Sequence, residues 1–327
     1  MNTKMDNFVS RQQPKPDHVS ATTRAVEWVV RTAQQAARAS KVIVITGPTA
    51  TGKSALAIRL SKLIGGEIVS ADSMQIYKHM DIGTAKPAPE ELLEVRHHMI
   101  DIIHPADEYS VSKYVYDAAL CIDDIFSRGK TPVIAGGTGL YIDSLLCGRD
   151  FSARNNAGLR EELEMEYESK GGEFLLSALS EFDPQSAETL HPNDKKRIVR
   201  AIEVYKTTGK TISLHNLETQ LLPPRYEAVK IALMYPDRSI LYDKINNRVD
   251  TMIEAGFEQE VYRLLQMNIP KTGTAMQAIG YKEMIKVIEG EISMSEAVMQ
   301  IKQKSGRYAK RQLTWLRRDK SVQWPVW

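Results

Sequence analysis

From residue 41 onward, continuous apolar runs alternate with amphipathic stretches. KVIVITG (41–47) is apolar throughout and ends in a glycine, the pattern of a strand buried on both faces. Residues 53–63 have helical spacing and 67–72 read as a second strand. Further short apolar runs at 99–103, 132–135 and 230–235 are separated by helical stretches such as 114–126. Strands alternating with helices predict a parallel sheet covered by helices on both faces, an α/β fold. Between about residues 146 and 217 the strand signal fades into charged helical sequence (LREELEMEYESK, EFLLSALSEF). This predicts a helical insertion domain over 146–218, flanked by two core segments, 41–145 and 219–327. The second of these carries expected helices at 239–267, 281–289 and 293–317. Residues 1–40 form an N-terminal extension, polar to about Ser20 and helix-prone from Ala21. Trp28, Val29, Val30 and Ala33 there suggest an amphipathic helix docking on the body. Recurrent Arg24, Arg31 and Arg38 raise the alternative of a targeting peptide, against which Asp6, Asp17 and Glu27 count.

Composition narrows the function classes. The 327 residues are 43% hydrophobic and 26% charged, ordinary for a soluble globular protein. A net charge of +2 excludes a chain that is basic all over, so any nucleic acid must be held by local patches. The two cysteines, Cys121 and Cys147, have no CxxC spacing, which excludes a disulfide framework or a cysteine zinc site and fits a reducing, cytoplasmic setting. No apolar run approaches the roughly 18 to 20 residues that span a bilayer.

The first chemistry lies in Gly47, Pro48, Thr49, Ala50, Thr51, Gly52, Lys53 and Ser54, which fit G-x-x-x-x-G-K-[ST] between a predicted strand and a predicted helix. In such a loop backbone N–H groups converge on phosphate oxygens and the helix adds its positive end. Lys53 supplies a point charge, and Ser54 offers a hydroxyl to Mg2+. The fold expected is therefore a P-loop NTPase-like sheet that binds a di- or triphosphate; the loop does not name the reaction. Strand two ends at Asp72, and carboxyl ends of adjacent strands open into one crevice, so Asp72 should face the phosphate loop. A carboxylate there can bind magnesium through water, take a proton, or merely cap a turn. Thr138, in Gly-Gly-Thr-Gly after another strand, should open into the same crevice. His97 and His98, adjacent on a strand, point to opposite faces and are expected to be structural, not joint metal ligands. The aliphatic and Met positions of the helix from Ser239 are expected in the core.

The stretch DSMQIYKHMDIGTAKP from Asp72 resembles tRNA dimethylallyltransferases (tRNA isopentenyltransferases). Five more segments continue the likeness in that family's order: HHMIDIIHP from His97, GGTGLY from Gly136, HPNDKKRIVRAIEVY from His191, QAIGYKE from Gln277 and AKRQLTWLRR from Ala309. The resemblance implies transfer of a dimethylallyl group from dimethylallyl diphosphate to N6 of the adenosine 3′ to the anticodon. It implies Asp72 as general base, Lys53, Ser54 through magnesium, and Arg238 around the leaving diphosphate, and Thr138 against the target nucleotide. Asp72, Ser73, Met74 and Gln75 match the segment that meets the flipped base. Lys196, Arg197 and Arg200 match positions that contact tRNA, with Lys196 replacing a frequent Gln. The segment 276–282, including Met276, Gln277, Gly280, Tyr281 and Lys282, is implied in reading the anticodon stem-loop.

Lys302, Lys304, Arg307, Lys310, Arg311, Arg317 and Arg318 suggest a basic stripe for phosphate contacts on the last helix. The chain ends soon after AKRQLTWLRR without the zinc-finger tail of some eukaryotic relatives, so a bacterial-type enzyme, working as a monomer away from membranes, is expected. Three rivals remain: a transferase that prenylates free adenine nucleotides, a small-molecule P-loop kinase, and a non-catalytic RNA-binding protein. The first has no need of the insertion or the basic helix, the second no use for QAIGYKE, and the third no use for an intact Lys53, Ser54 and Asp72.

Overall fold

The computed structural model describes residues 21–148 and 157–325. Its first half is α1 (Ala21–Arg38), β1 (Val42–Thr46), α2 (Lys53–Ile64), β2 (Gly66–Ser70), α3 (Pro89–Glu94), β3 (His97–His98), α4 (Val111–Ser127), β4 (Thr131–Ala135) and α5 (Gly139–Cys147). Helices α6 (Ala157–Lys170), α7 (Gly172–Ser180), α8 (Pro184–Ala187), α9 (Lys195–Thr208) and α10 (Ile212–Leu221) follow. The chain then returns through β5 (Ala228–Ala232) to α11 (Arg238–Glu254), α12 (Phe257–Gln266), α13 (Tyr281–Ile288) and α14 (Met294–Leu316).

The strands form one parallel sheet in the order β3-β2-β4-β1-β5. Side chains alternate across a strand, so β1 divides its residues between two layers. Val42 and Val44 join Val69 and Ile134 under α4 and α5, while Ile43 and Ile45 join Ile68, Val133 and Ile231 under α1 and α2. Both faces of β1 are thus covered, which is why its sequence is apolar without interruption. Helix α1 docks in the second layer through Val29, Ala33 and Ala36, whereas Trp28 remains 38% exposed. Residues 1–20, which bear on the targeting reading, lie outside the described residues.

Three boundaries differ from the sequence reading. The edge strand is His97–His98, not 99–103: Met99 and Asp101 take φ of 64° and 55°, left-handed values that break an extended run. The last strand is 228–232 instead of 230–235, because its ladder with β1 runs residue for residue from Val42↔Ala228 to Thr46↔Ala232, after which the Leu233 N–H still bonds the Thr46 carbonyl at 2.8 Å as β1 ends. The long helix expected over 239–267 is broken at Gly256, whose φ of 92° separates α11 from α12.

Helices α6 to α10 enclose their own apolar cluster, with Leu163, Leu175, Leu179, Ile198 and Ile202 buried in it. Helix α10 runs to Leu221 and so crosses the expected boundary at 218. A further cluster packs Ile76, Tyr77 and Met80, from the segment after β2, against Phe257, Tyr281, Met284 and Ile301. Its polar anchor is Glu260, 6% exposed, whose carboxylate accepts backbone N–H groups of Asp81 (2.8 Å), Ile82 (2.7 Å) and Gly83 (3.1 Å) and the Tyr281 hydroxyl (2.7 Å).

Candidate active site

The phosphate loop connects β1 to α2 with the backbone that its glycines permit. Gly47 has φ 140°, and a Cβ there would stand 2.6 Å from the Leu233 carbonyl oxygen; Gly52, opening α2, has φ 82°. Inside the loop, the Thr51 hydroxyl and the Lys53 ammonium donate to the Pro48 carbonyl at 2.8 and 2.9 Å. The Lys53 pKa is lowered from 10.5 to about 8, by burial first and then by the nearby Arg248, with Asp72 working in the opposite direction.

Asp72 follows β2, and its Oδ1 accepts the Met74 N–H at 2.9 Å. It lines a cavity of about 400 Å3 together with Thr49 of the phosphate loop, Ser73, Met74 and Arg248. The Arg248 guanidinium donates to the Thr49 hydroxyl at 3.1 Å and to the Thr84 carbonyl at 3.4 Å. Its pKa is lowered by burial and held up in part by Asp72. Ile245, Val249 and Met252 of α11, with Phe257, Ile279 and Ile301, give the cavity an apolar wall. The α11 positions expected only in the core therefore serve both: Ile245 and Val249 are buried and also face the cavity. Gln277, Gly280, Tyr281 and Lys282 complete one side, and Ser305, Tyr308 and Arg311 of α14 another. The Tyr308 hydroxyl is pushed up to about 12, by burial first and then by the charge of Asp72.

Other expected site residues stand elsewhere. Arg238 is the exposed first residue of α11, ten positions or about 15 Å of helix from Arg248. It borders a shallow recess with Lys310 and Arg317, not the cavity of Asp72. Gln75 is buried, taking a Ser70 hydroxyl at 3.2 Å and donating to the Thr84 and Ala85 carbonyls at 3.4 and 3.3 Å, which makes it a brace under the loop. Met276 is fully buried in the cluster behind Tyr281, leaving no surface for RNA. Ser54 is exposed in the first turn of α2, beside a smaller recess with Ser70 and His97. Thr138 opens α5, and its hydroxyl accepts the Ser73 N–H at 3.2 Å, linking it to the Asp72 segment. On α9, Lys196 and Arg197 are exposed, whereas Arg200 donates to buried Glu203 at 2.9 Å. His97 bonds the Val95 carbonyl at 2.7 Å and His98 the Glu67 carboxylate at 2.8 Å, so each ring has its own partner.

Of the seven basic residues expected as a stripe on the last helix, Arg307, Lys310, Arg311, Arg317 and Arg318 are exposed at the spacing of one helix face, while two are tied to carboxylates. Lys302 pairs with Asp250 (2.8 Å) and Lys304 with Glu283 (2.6 Å), and Arg311 also lines the cavity.

Residues 75–319 match the family model described as IPP transferase. The chain belongs to the IPP transferase family. Within reach of this IPP transferase match are relatives called tRNA dimethylallyltransferase: that of Acetivibrio thermocellus is 49% identical over 86% of this chain and 90% of its own length, and that of Caldanaerobacter subterraneus is 48% identical over 88% and 91%. Among solved structures, the tRNA isopentenylpyrophosphate transferase of Bacillus halodurans superposes with a TM-score of 0.65 at 40% identity, covering 87% of this chain and 89% of that one. A eukaryotic dimethylallyltransferase acting on tRNA gives 0.73 at 30% identity, over 84% of this chain and 69% of that one. The α/β core read from the sequence is the fold these IPP transferases share.

Two groups of the site had no distinct signal in the IPP transferase sequence. Arg248 lies in an evenly charged helix, NNRVDTM, and only the direction of α11 separates it from Arg238. Gln312 sits among the basic residues of AKRQLTWLRR, yet it is buried: its Oε1 accepts the Thr49 N–H at 2.9 Å and its Nε2 donates to the Gly137 carbonyl at 2.8 Å. Nearby, Trp315 donates to Asp143 at 2.7 Å and closes over Gly139, where a Cβ would meet its ring at 2.3 Å.

Proposed function

We propose that this chain transfers the dimethylallyl group of dimethylallyl diphosphate to N6 of the adenosine 3′ to the anticodon of tRNA, releasing diphosphate. The observation that carries this reading is the single cavity of about 400 Å3 that joins Thr49 of the phosphate loop, Arg248, the Asp72 carboxylate and an apolar wall. The family and the tRNA enzymes it resembles supply the class of acceptor.

In the reaction, the amine nitrogen attacks the allylic carbon, the carbon–oxygen bond breaks, and diphosphate departs with the electron pair. The Asp72 carboxylate takes the proton that the new bond makes acidic. Lys53 and Arg248 neutralise charge growing on the leaving oxygens, a kind of assistance that is strong in a site shielded from water. The apolar wall from Ile245 to Ile301 orients the prenyl chain and keeps water from the allylic carbon. Arg248 replaces Arg238 in this role.

Magnesium fits the loop in one specific way. Ser54 presents an exposed hydroxyl at the start of α2, and among the described residues no group of three acidic, His or Cys side chains is arranged to hold a metal ion. The ion would take one protein oxygen, from Ser54, and the rest from diphosphate and water. When bound it would supply positive charge to the diphosphate.

For RNA, the exposed Lys196 and Arg197 on α9, the segment 277–282 at the cavity and Arg311 are the proposed contacts, with α6 to α10 as the module that carries the first two. The chemistry needs the base out of its stack to reach Asp72.

The test mixes purified protein, magnesium and labelled dimethylallyl diphosphate with unmodified tRNA, or with AMP and ADP. Label is expected in tRNA with wild type and reduced by at least about 10²-fold in Asp72→Ala. Label in AMP or ADP alone would move the chain to nucleotide prenylation, and transfer to no acceptor would end the proposal.

A further inference from the structure

The two halves of the site, phosphate loop and base-bearing loop, are joined by one side chain from the far end of the sequence. Gln312 is 7% exposed and uses its amide at both ends, Oε1 on the Thr49 N–H at 2.9 Å and Nε2 on the Gly137 carbonyl at 2.8 Å. The network continues on each side. Thr49 also takes the Arg248 guanidinium on its hydroxyl at 3.1 Å. On the other flank, Tyr308 lies beside Gln312 and Thr138, and the Thr138 hydroxyl accepts the N–H of Ser73, the neighbour of Asp72. Hydrogen bonds therefore lead from Gly137 through Gln312 and Thr49 to the proposed leaving-group arginine, and Thr138, next in the chain to Gly137, holds the residue after the proposed base. Gly137 belongs to the same device: a Cβ there would stand 2.1 Å from Gln312 Nε2.

We propose that Gln312 is a positioning residue, which sets the separation of Asp72 from the diphosphate seat by locking the phosphate loop to the turn at 136–139. This rests on the function proposed above. The helix does not need a polar group at this place to pack, since Ala309, Leu313 and Leu316 already bury its face. A buried amide is costly unless its partners are fixed, and here both partners are the backbones of the two loops whose spacing governs reaction. Because Gln312 touches neither solvent nor the cavity wall in any large degree, its effect falls on turnover and not on RNA affinity.

The experiment is steady-state kinetics of the full chain with dimethylallyl diphosphate and tRNA, together with direct tRNA binding, for Gln312→Leu, Gln312→Glu, Gly137→Ala and the double variant Gly137→Ala/Gln312→Ala. Leu keeps the bulk and loses both bonds; Glu keeps the acceptor and loses the donor. Misplacement of the loops by about 1 Å predicts kcat reduced on the order of 10²-fold in Q312L, with smaller changes in donor KM and tRNA Kd within about twofold. G137A should show the same split, and adding it to Q312A should cost little more, because the clash it causes is with the side chain already removed. A Q312L protein with kcat within about threefold of wild type would overturn the proposal, as would a rise in tRNA Kd that accounts for the whole loss. If Q312L does not fold, Q312E and G137A decide on the same readouts. A wild type inactive toward every acceptor would instead remove the function on which the proposal stands.

Discussion

Lys53, Arg248 and Asp72 place two half-buried cations beside one carboxylate, and each side chain changes what the others do. The Lys53 pKa of about 8 means that, in the free protein, its ammonium is lost as pH rises through that value. In the proposed reaction the diphosphate is held by the charged form, so kcat/KM for the donor is expected to fall by up to about tenfold per pH unit above 8, read in a pH profile at saturating tRNA. The effect on stability has the opposite sign. Between about 8 and the ordinary 10.5 the unfolded chain binds more protons at this lysine than the folded one, so this lysine's contribution to stability rises with pH there. Arg248 and Arg238 give a second contrast. Replacing Arg248 by Ala should lower kcat/KM for the donor by about 10²–10³-fold, the usual loss for one preorganised charge donor. Arg238→Ala, at an exposed helix start, should stay within about threefold. Equal losses in the two variants would contradict the assignment. The phosphate loop and Asp72 were legible from residue types and spacing alone, since glycines, lysine and hydroxyl in that order have few other uses. Arg248 was not, because ten helical residues separate it from Arg238 and sequence does not say which end of the helix turns inward.

At the scale of elements, helix α12 acts on the site without lining much of it. Its Glu260 receives three consecutive N–H groups of the loop 81–83 and the Tyr281 hydroxyl, and so ties the segment after β2 to α13. Glu260→Ala leaves four donors without the carboxylate, the buried Tyr281 hydroxyl among them. It is expected to destabilise the fold by at least about 3 kcal/mol, lowering the melting temperature by roughly 6 °C or more in thermal unfolding. A change under about 1 kcal/mol would show that water replaces the carboxylate. The same residues explain two misread elements. The run 99–103 is apolar enough for a strand, but Ile103 only bridges Tyr77, and left-handed turns at Met99 and Asp101 wrap the chain around the buried loop. The break at Gly256 likewise follows from packing: α12 must turn away from α11 for Phe257 to meet Tyr281 edge-on, with ring centres 5.0 Å apart.

Across the whole molecule, the loops that follow β1 and β2 and the helices α11 to α14 form the two sides of one cavity, while α6 to α10 carry a separate apolar cluster. We propose that this module is the RNA-facing domain, joined to the core where α5 ends and where β5 begins. Its charged exterior and compact core were readable as helical sequence with a weak apolar period, and the sheet as uninterrupted apolar runs. The sequence by itself determined the parallel α/β core, the phosphate loop at the end of β1 and the carboxylate at the end of β2. These rest on local rules: backbone freedom at glycine, burial of strands on both faces, and the common opening of parallel strands at one edge. Only the tertiary structure decided that Gln75 and Met276 are buried braces, that Gln312 joins two loops, and that Arg248 and not Arg238 meets Thr49. Each of those depends on which face of an element packs inward, and for Arg248 and Gln312 that is set by a partner far along the chain: Thr49 is 199 positions from Arg248 and 263 from Gln312.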